Sequence, residues 1–207
     1  MMNWFDRIVL LATGLAAIYL IWRFYGRYQQ KKALHDIYYL EGFLVLLVSG
    51  LLLIFLGWDI LASPYVLTVA TLIPLGISMG LMNQFMPGIK KYYAWFALIG
   101  FLAIAVTSIG GMGLKSVAVP LFHGVAGMII FLLPIKLSMD NKVPAGFWWV
   151  GIGGMLIGIG GIALAFVVTG SQLLFFSQEV ILMILAPILL LMTLAYTWGF
   201  NKEVQAG

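Results

Sequence analysis

The chain has 207 residues, of which 63% are hydrophobic and only 9% charged; an ordinary water-soluble domain runs at roughly 45–50% apolar and about 25% charged. A protein of this size has no way to hide so much apolar surface from water, so the composition calls for lipid as its solvent. Cysteine is absent, which excludes disulfides, thiolate metal sites, iron–sulfur clusters and cysteine nucleophiles, and the 11 basic residues fall between apolar stretches rather than along one polar face, a pattern of membrane topology and not of nucleic-acid binding.

A bilayer core about 30 Å thick takes roughly 20 apolar residues in helical form, with every backbone polar group bonded inside the helix. Windows of that length fall near 8–25, 40–62, 65–86, 93–112, 117–138, 147–170 and 179–199. The expected fold is therefore all-α, a single transmembrane domain over residues 1–207 made of about seven helices. In the first span Asp6 and Arg7 precede the apolar core, and Arg23, Arg27, Lys31 and Lys32 follow it. That order is the reverse of a cleavable signal peptide and exports the N-terminus. Pro74, Gly76 and Gly80 interrupt the third span, and Gly110, Gly111 and Gly113 close the fourth. Pro120 and Pro134 in the fifth span and Pro187 in the seventh each remove a backbone donor and are expected to kink their helices. Residues 171–178, Ser-Gln-Leu-Leu-Phe-Phe-Ser-Gln, combine apolar and polar side chains ahead of the last span and are expected to lie in the membrane interface.

Cytoplasmic loops keep an excess of Lys and Arg. With the N-terminus outside, Arg23, Arg27, Lys31, Lys32, Lys90, Lys91, Lys136, Lys142 and Lys202 fall on the cytoplasmic side, and only Arg7 and Lys115 outside. The C-terminus is then cytoplasmic. Trp and Tyr, which prefer the headgroup level, agree: Trp22, Tyr25, Tyr28, Tyr38, Tyr39, Tyr92, Tyr93, Trp95, Trp148, Trp149, Tyr196 and Trp198 are expected to mark the cytoplasmic boundary, Trp4, Trp58 and Tyr65 the other.

The sharpest local pattern is Gly151, Gly154, Gly158, Gly161 and Ala165 in the sixth span, at intervals of three and four that place all five on one face. Such a face lets a neighbouring backbone approach closely, which is how helices associate where lipid supplies no hydrophobic drive. Gly100, Ala103, Thr107 and Gly110 repeat the idea in the fourth span. These stripes read as helix packing, within the chain or against a partner, and not as a phosphate-binding loop, because no strand precedes them.

The ionisable residue most clearly at membrane depth is His123, about six residues into the fifth span and so roughly 9 Å below its boundary. Its surroundings, Pro120-Leu-Phe-His123-Gly124-Val-Ala-Gly127, place the ring on a face with Gly127 where a flat group, a haem, a chlorin or a quinone, has room to approach. The chain has only 2 histidines, and His35 belongs to the first cytoplasmic loop, so one chain offers no bis-histidine haem clamp. Neither a cluster of metal ligands nor a catalytic set of paired acids or Ser–His–Asp is evident, and residues 179–199 hold no lysine for a retinal Schiff base. Glu41, Asp59 and Glu179 lie near span ends, and Asn83 and Gln84 are expected to hydrogen-bond across helices. Together these features point to a non-catalytic multi-pass subunit of the plasma membrane. Its partners are expected to be lipid and other hydrophobic subunits of a respiratory or photosynthetic electron-transfer complex, or a second copy of itself. A transporter or channel for a small neutral solute is the alternative, with the glycines and kinks forming a moving pathway.

Overall fold

The computed structural model describes residues 2–168 and 178–206, and the side chains of all of these except 163–168, 178, 205 and 206. It is 87% helix, with no strand among the described residues. The helices are α1 (Trp4–Lys31), α2 (Leu34–Leu56), α3 (Pro64–Ala70), α4 (Leu72–Phe85), α5 (Lys90–Ile109), α6 (Lys115–Met139), α7 (Trp148–Val168) and α8 (Gln178–Ala206). Six helical segments are long and apolar enough to cross a membrane: α1, α2, α3 with α4 as Pro64–Phe85, α5, α6 and Glu179–Val204 of α8. The described apolar stretch of α7, Trp148–Ile162, is shorter. The segment expected at the interface, 171–178, lies outside the described residues except for Gln178.

Local chemistry sets the helix ends. Asn3 caps α1 by accepting from the Asp6 backbone N–H at 2.8 Å, and the Asp6 carboxylate accepts in return from the Asn3 N–H at 3.3 Å, a capping box. Only Lys32 and Ala33 separate α1 from α2, with Lys32 left-handed at φ 51°, so the two helices must run antiparallel. Hydropathy carries the second span to residue 62, but α2 ends at Leu56 because Gly57, at φ 77°, turns the chain into a short 3-10 helix over Trp58–Ala62. Ser63 and Pro64 then start α3 as N-cap and first helical residue, the positions these residue types favour. The interruption expected at Pro74 is a break at Thr71 between α3 and α4: proline has no N–H to return to the carbonyl four residues back.

Six helices close into a ring, each touching the next in the order α1, α2, α4, α6, α7, α8 and back to α1. α5 lies outside the ring against α3, α4 and α6. The ring is filled. Phe24, Tyr39, Phe43, Phe147, Tyr196 and Phe200 are fully buried at its centre with Leu20, Ile77, Leu81 and Ile130. Their rings interlock, Phe24 with Tyr39 at 4.7 Å, Tyr39 with Phe200 at 4.8 Å and Phe24 with Phe200 at 5.2 Å between centroids. Each such pair adds about 0.5–1.5 kcal/mol beyond burial, which matters where lipid is as apolar as the core. Tyr39 and Tyr196, like Tyr93 of α5, are buried within the bundle and not at the headgroup boundary expected of them.

Glycines let the ring close. A Cβ on Gly76 would lie 2.8 Å from the Tyr38 carbonyl oxygen and 3.0 Å from the Gly42 nitrogen, so α2 and α4 meet backbone to backbone. Gly80 makes room for the Tyr39 ring and Gly100 for that of Phe122. Gly76 and Gly80, which interrupt the hydropathy pattern, and Gly100 of the fourth-span stripe are seats for neighbours. α5 is tied on by Tyr93, whose hydroxyl donates to Ser78 Oγ at 2.7 Å while Ser78 donates to the Pro74 carbonyl at 2.6 Å. Tyr93→Phe is expected to cost about 1 kcal/mol, read as lower thermal stability in mild detergent; an unchanged unfolding midpoint would show that this bond adds nothing.

Candidate functional site

His123 sits in the half of α6 nearer its N-terminus. It is half-buried, and its Nδ1 is buried without a hydrogen-bond partner. The adjacent Phe122 packs against Phe96 of α5 at 4.9 Å between centroids. His123 and Gly127 instead continue the row that runs through Ile130 and Pro134, by the helical spacing of three and four. That row meets α7. A Cβ on Gly154 would lie 2.8 Å from the backbone of Ile130 and Phe131, and one on Gly151 would lie 2.6 Å from the Phe131 carbonyl oxygen. Further along the same faces Gly158, Gly161 and Gly127 have no described atom within 4 Å of where a Cβ would lie. The glycine contacts between the two helices are thus at Gly151 and Gly154, and His123 lies further along α6, towards its N-terminus. The side chain of Ala165, the last member of the expected stripe, lies outside the described residues.

At the other end of the bundle the structure assembles a polar site that hydropathy gives no hint of. Arg27, placed by composition among the solvated loop charges, is buried, as are Asp36 and Glu203. Arg27 Nε donates to Asp36 Oδ1 at 2.6 Å, and Nη1 pairs with Glu203. Gln84 donates to the other Glu203 oxygen at 2.5 Å and accepts from the Tyr39 hydroxyl at 3.0 Å, the cross-helix bonding expected of it. One network thus joins α1, α2, α4 and α8. Formally it holds one positive and two negative charges, with Arg27 also 5.1 Å from the Phe24 ring centroid. Asp36 Oδ2 is buried and has no partner, and His35 Nε2 is 3.9 Å from Oδ1 of the same carboxylate.

Two hollows border these groups. Beside the network, Trp22, Arg23, Gly26, Arg27, Lys31 and Val204 line a cleft of about 420 Å³. Between α4, α5 and α6 an apolar groove of about 1320 Å³ runs past Met82, Tyr93, Phe96, Pro120, Gly124 and Met128, with Lys136 and Asp140 at one end. That exceeds the roughly 300–1,000 Å³ of a usual small-molecule site.

His35 in the first turn of α2 and His123 in α6 stand in different parts of the bundle and converge on no common point, so a haem held by both is not built here. Among the described residues no three His, Cys, Asp or Glu side chains gather where they would hold a metal ion. Set against models of protein families, functionally described proteins and solved structures, the chain matches none of them.

Proposed function

We propose that this protein is a multi-pass subunit of the plasma membrane, with seven spans, its N-terminus outside and its C-terminus in the cytoplasm. In this reading it seats a flat lipid-soluble cofactor, a quinone, against His123 while packing beside other hydrophobic subunits of an electron-transfer assembly. The observation that carries it is the buried, unpartnered Nδ1 of His123, on the α6 row that continues past the α7 contact through Gly127, which is open where a Cβ would lie. A buried polar nitrogen without a partner is costly, and a quinone carbonyl needs only one N–H donor, where an electron-transfer haem needs two axial ligands. Gly127, Gly158 and Gly161 leave the neighbouring surface free of side chains. The closed aromatic centre of the ring argues against the alternative of a solute pathway through the bundle, because Phe24, Tyr39, Phe43 and Phe200 fill it.

Quinone extracted from protein purified in mild detergent tests the cofactor. Wild type is expected to carry quinone above the level of its co-purifying lipid. His123→Ala should retain roughly fivefold to tenfold less, the worth of one buried hydrogen bond, and His123→Gln, which keeps an N–H donor, should retain more than His123→Ala. Equal retention by wild type and His123→Ala would remove the quinone, and a Soret or chlorin absorption band would replace it with a haem or pigment. Partner capture in the same detergent tests the assembly: migration as a lone monomer with nothing bound would defeat the subunit reading.

A further inference from the structure

We infer that the cleft beside the Arg27 network is a binding site for a phosphate group, and specifically for the headgroup of an anionic phospholipid in the cytoplasmic leaflet. The inference rests on the membrane orientation proposed above and is independent of His123.

Arg23, Arg27 and Lys31 follow one another at intervals of four on α1, so they share one face of the helix, and all three line the cleft. No carboxylate lines it: Asp36 and Glu203, which pair with Arg27, are not among its lining residues. Arg23 Nε is buried and has no hydrogen-bond partner, and Arg23 makes no ion pair among the described residues. Arginine presents several N–H groups in a planar fork that matches phosphate oxygens, so a buried, unmatched Nε asks for such an acceptor. The positive-inside bias explains why these residues are basic but not why they surround a hollow. That hollow exists because Gly26 sits between the two arginines: nothing lies within 4 Å of where its Cβ would be. A glycine inside a helix is poorly helix-forming, and no neighbour here requires one for close packing. Its consequence is space, bounded by the exposed indole of Trp22 at the level where tryptophan meets headgroups. Basic pockets between transmembrane helices on the cytoplasmic side are suited to anionic headgroups.

The test compares the full chain with Arg23→Gln, Lys31→Gln and their double variant, each offered phosphatidylglycerol or phosphatidylcholine in detergent, with bound lipid counted by native mass spectrometry. Lys91→Gln, which removes an exposed charge from the same end outside the cleft, is the control. Wild type and Lys91→Gln are expected to retain phosphatidylglycerol about tenfold over phosphatidylcholine, and the double variant to lose that preference. A parallel arm follows thermal stability with inorganic phosphate and glycerol phosphate: protection by these, without lipid selection, keeps the phosphate site and assigns it a soluble source. A double variant that still selects phosphatidylglycerol as wild type does, or a Lys91→Gln variant that loses as much, overturns the proposal. Because Arg27 is untouched in all of these, folding is expected to survive, and unchanged helical circular dichroism verifies it. His123→Ala should select lipid as wild type does, so loss of quinone with lipid selection intact rejects the His123 reading alone.

Discussion

Replacing Arg27 with alanine is expected to lower stability by about 3–5 kcal/mol, the cost of leaving buried charges uncompensated. Its side chain is 4% exposed and faces Asp36, whose side chain is 0% exposed, and Glu203 at 11%. Without the guanidinium two carboxylates remain close together in a site with little water, and Gln84 and Tyr39 offer only neutral partners. Arg27→Lys keeps the charge but not the planar fork that reaches both acids at once, so it should recover only part of the loss. Neutralising the whole group, with Arg27→Met, Asp36→Asn and Glu203→Gln together, should restore more than Arg27→Lys does, because a buried ion cluster is often no more stabilising than an uncharged replacement. Thermal unfolding in mild detergent measures all three. An Arg27→Ala protein that unfolds where wild type does would show that the network contributes specificity or function but not stability.

The same residues show how much the amino-acid pattern contains. Ala17, Leu20, Phe24 and Arg27 recur at intervals of three, four and three, as do Leu46, Phe43, Tyr39 and Asp36 read backwards, and Met192, Tyr196, Phe200 and Glu203 recur at four, four and three. Each charge continues a buried apolar row by one more turn. The periodicity is present, but hydropathy windows average over every face of a helix and stop where charges begin, so α1, α2 and α8 each extend past the charged end of their expected spans. Two acids at an end otherwise dominated by lysine and arginine are the other signal. Which acid meets which base is a matter of how α1, α2 and α8 pack, and no single helix encodes it.

The glycine stripe of α7 divides in a similar way. Spacing alone puts Gly151, Gly154, Gly158 and Gly161 on one face, and the first two do receive the α6 backbone. That the fit ends beyond them is a matter of how α6 and α7 pack, which is tertiary. His123 is conspicuous in the sequence as a lone histidine at membrane depth; that its Nδ1 is buried without a partner requires the fold. Gly76 and Gly80 go the other way. In the sequence they weaken the span around Pro74, whereas in three dimensions they are what allows α2 and α4 to touch.

That contact supports a second large effect, with a sign that depends on position. Gly76→Ala is expected to destabilise the bundle by about 1–3 kcal/mol, the usual cost of overpacking. The added carbon would lie 2.8, 3.0 and 3.1 Å from the Tyr38 oxygen and the Gly42 nitrogen and Cα. All three are backbone atoms, which cannot rotate aside as a side chain can, so relief requires α2 and α4 to separate. Gly42→Ala should cost less, because its nearest atoms are at 3.1 to 3.3 Å and the first of them is an Ile77 side-chain carbon. Gly50→Ala, further along the same α2, has nothing within 4 Å and should instead gain up to about 1 kcal/mol from better helix propensity. Unfolding midpoints in one detergent, ranked Gly76→Ala below Gly42→Ala below wild type below Gly50→Ala, would establish that the α2–α4 seam is held by backbone proximity. Equal effects at positions 76 and 50 would mean that the response belongs to glycine in a helix and not to the seam.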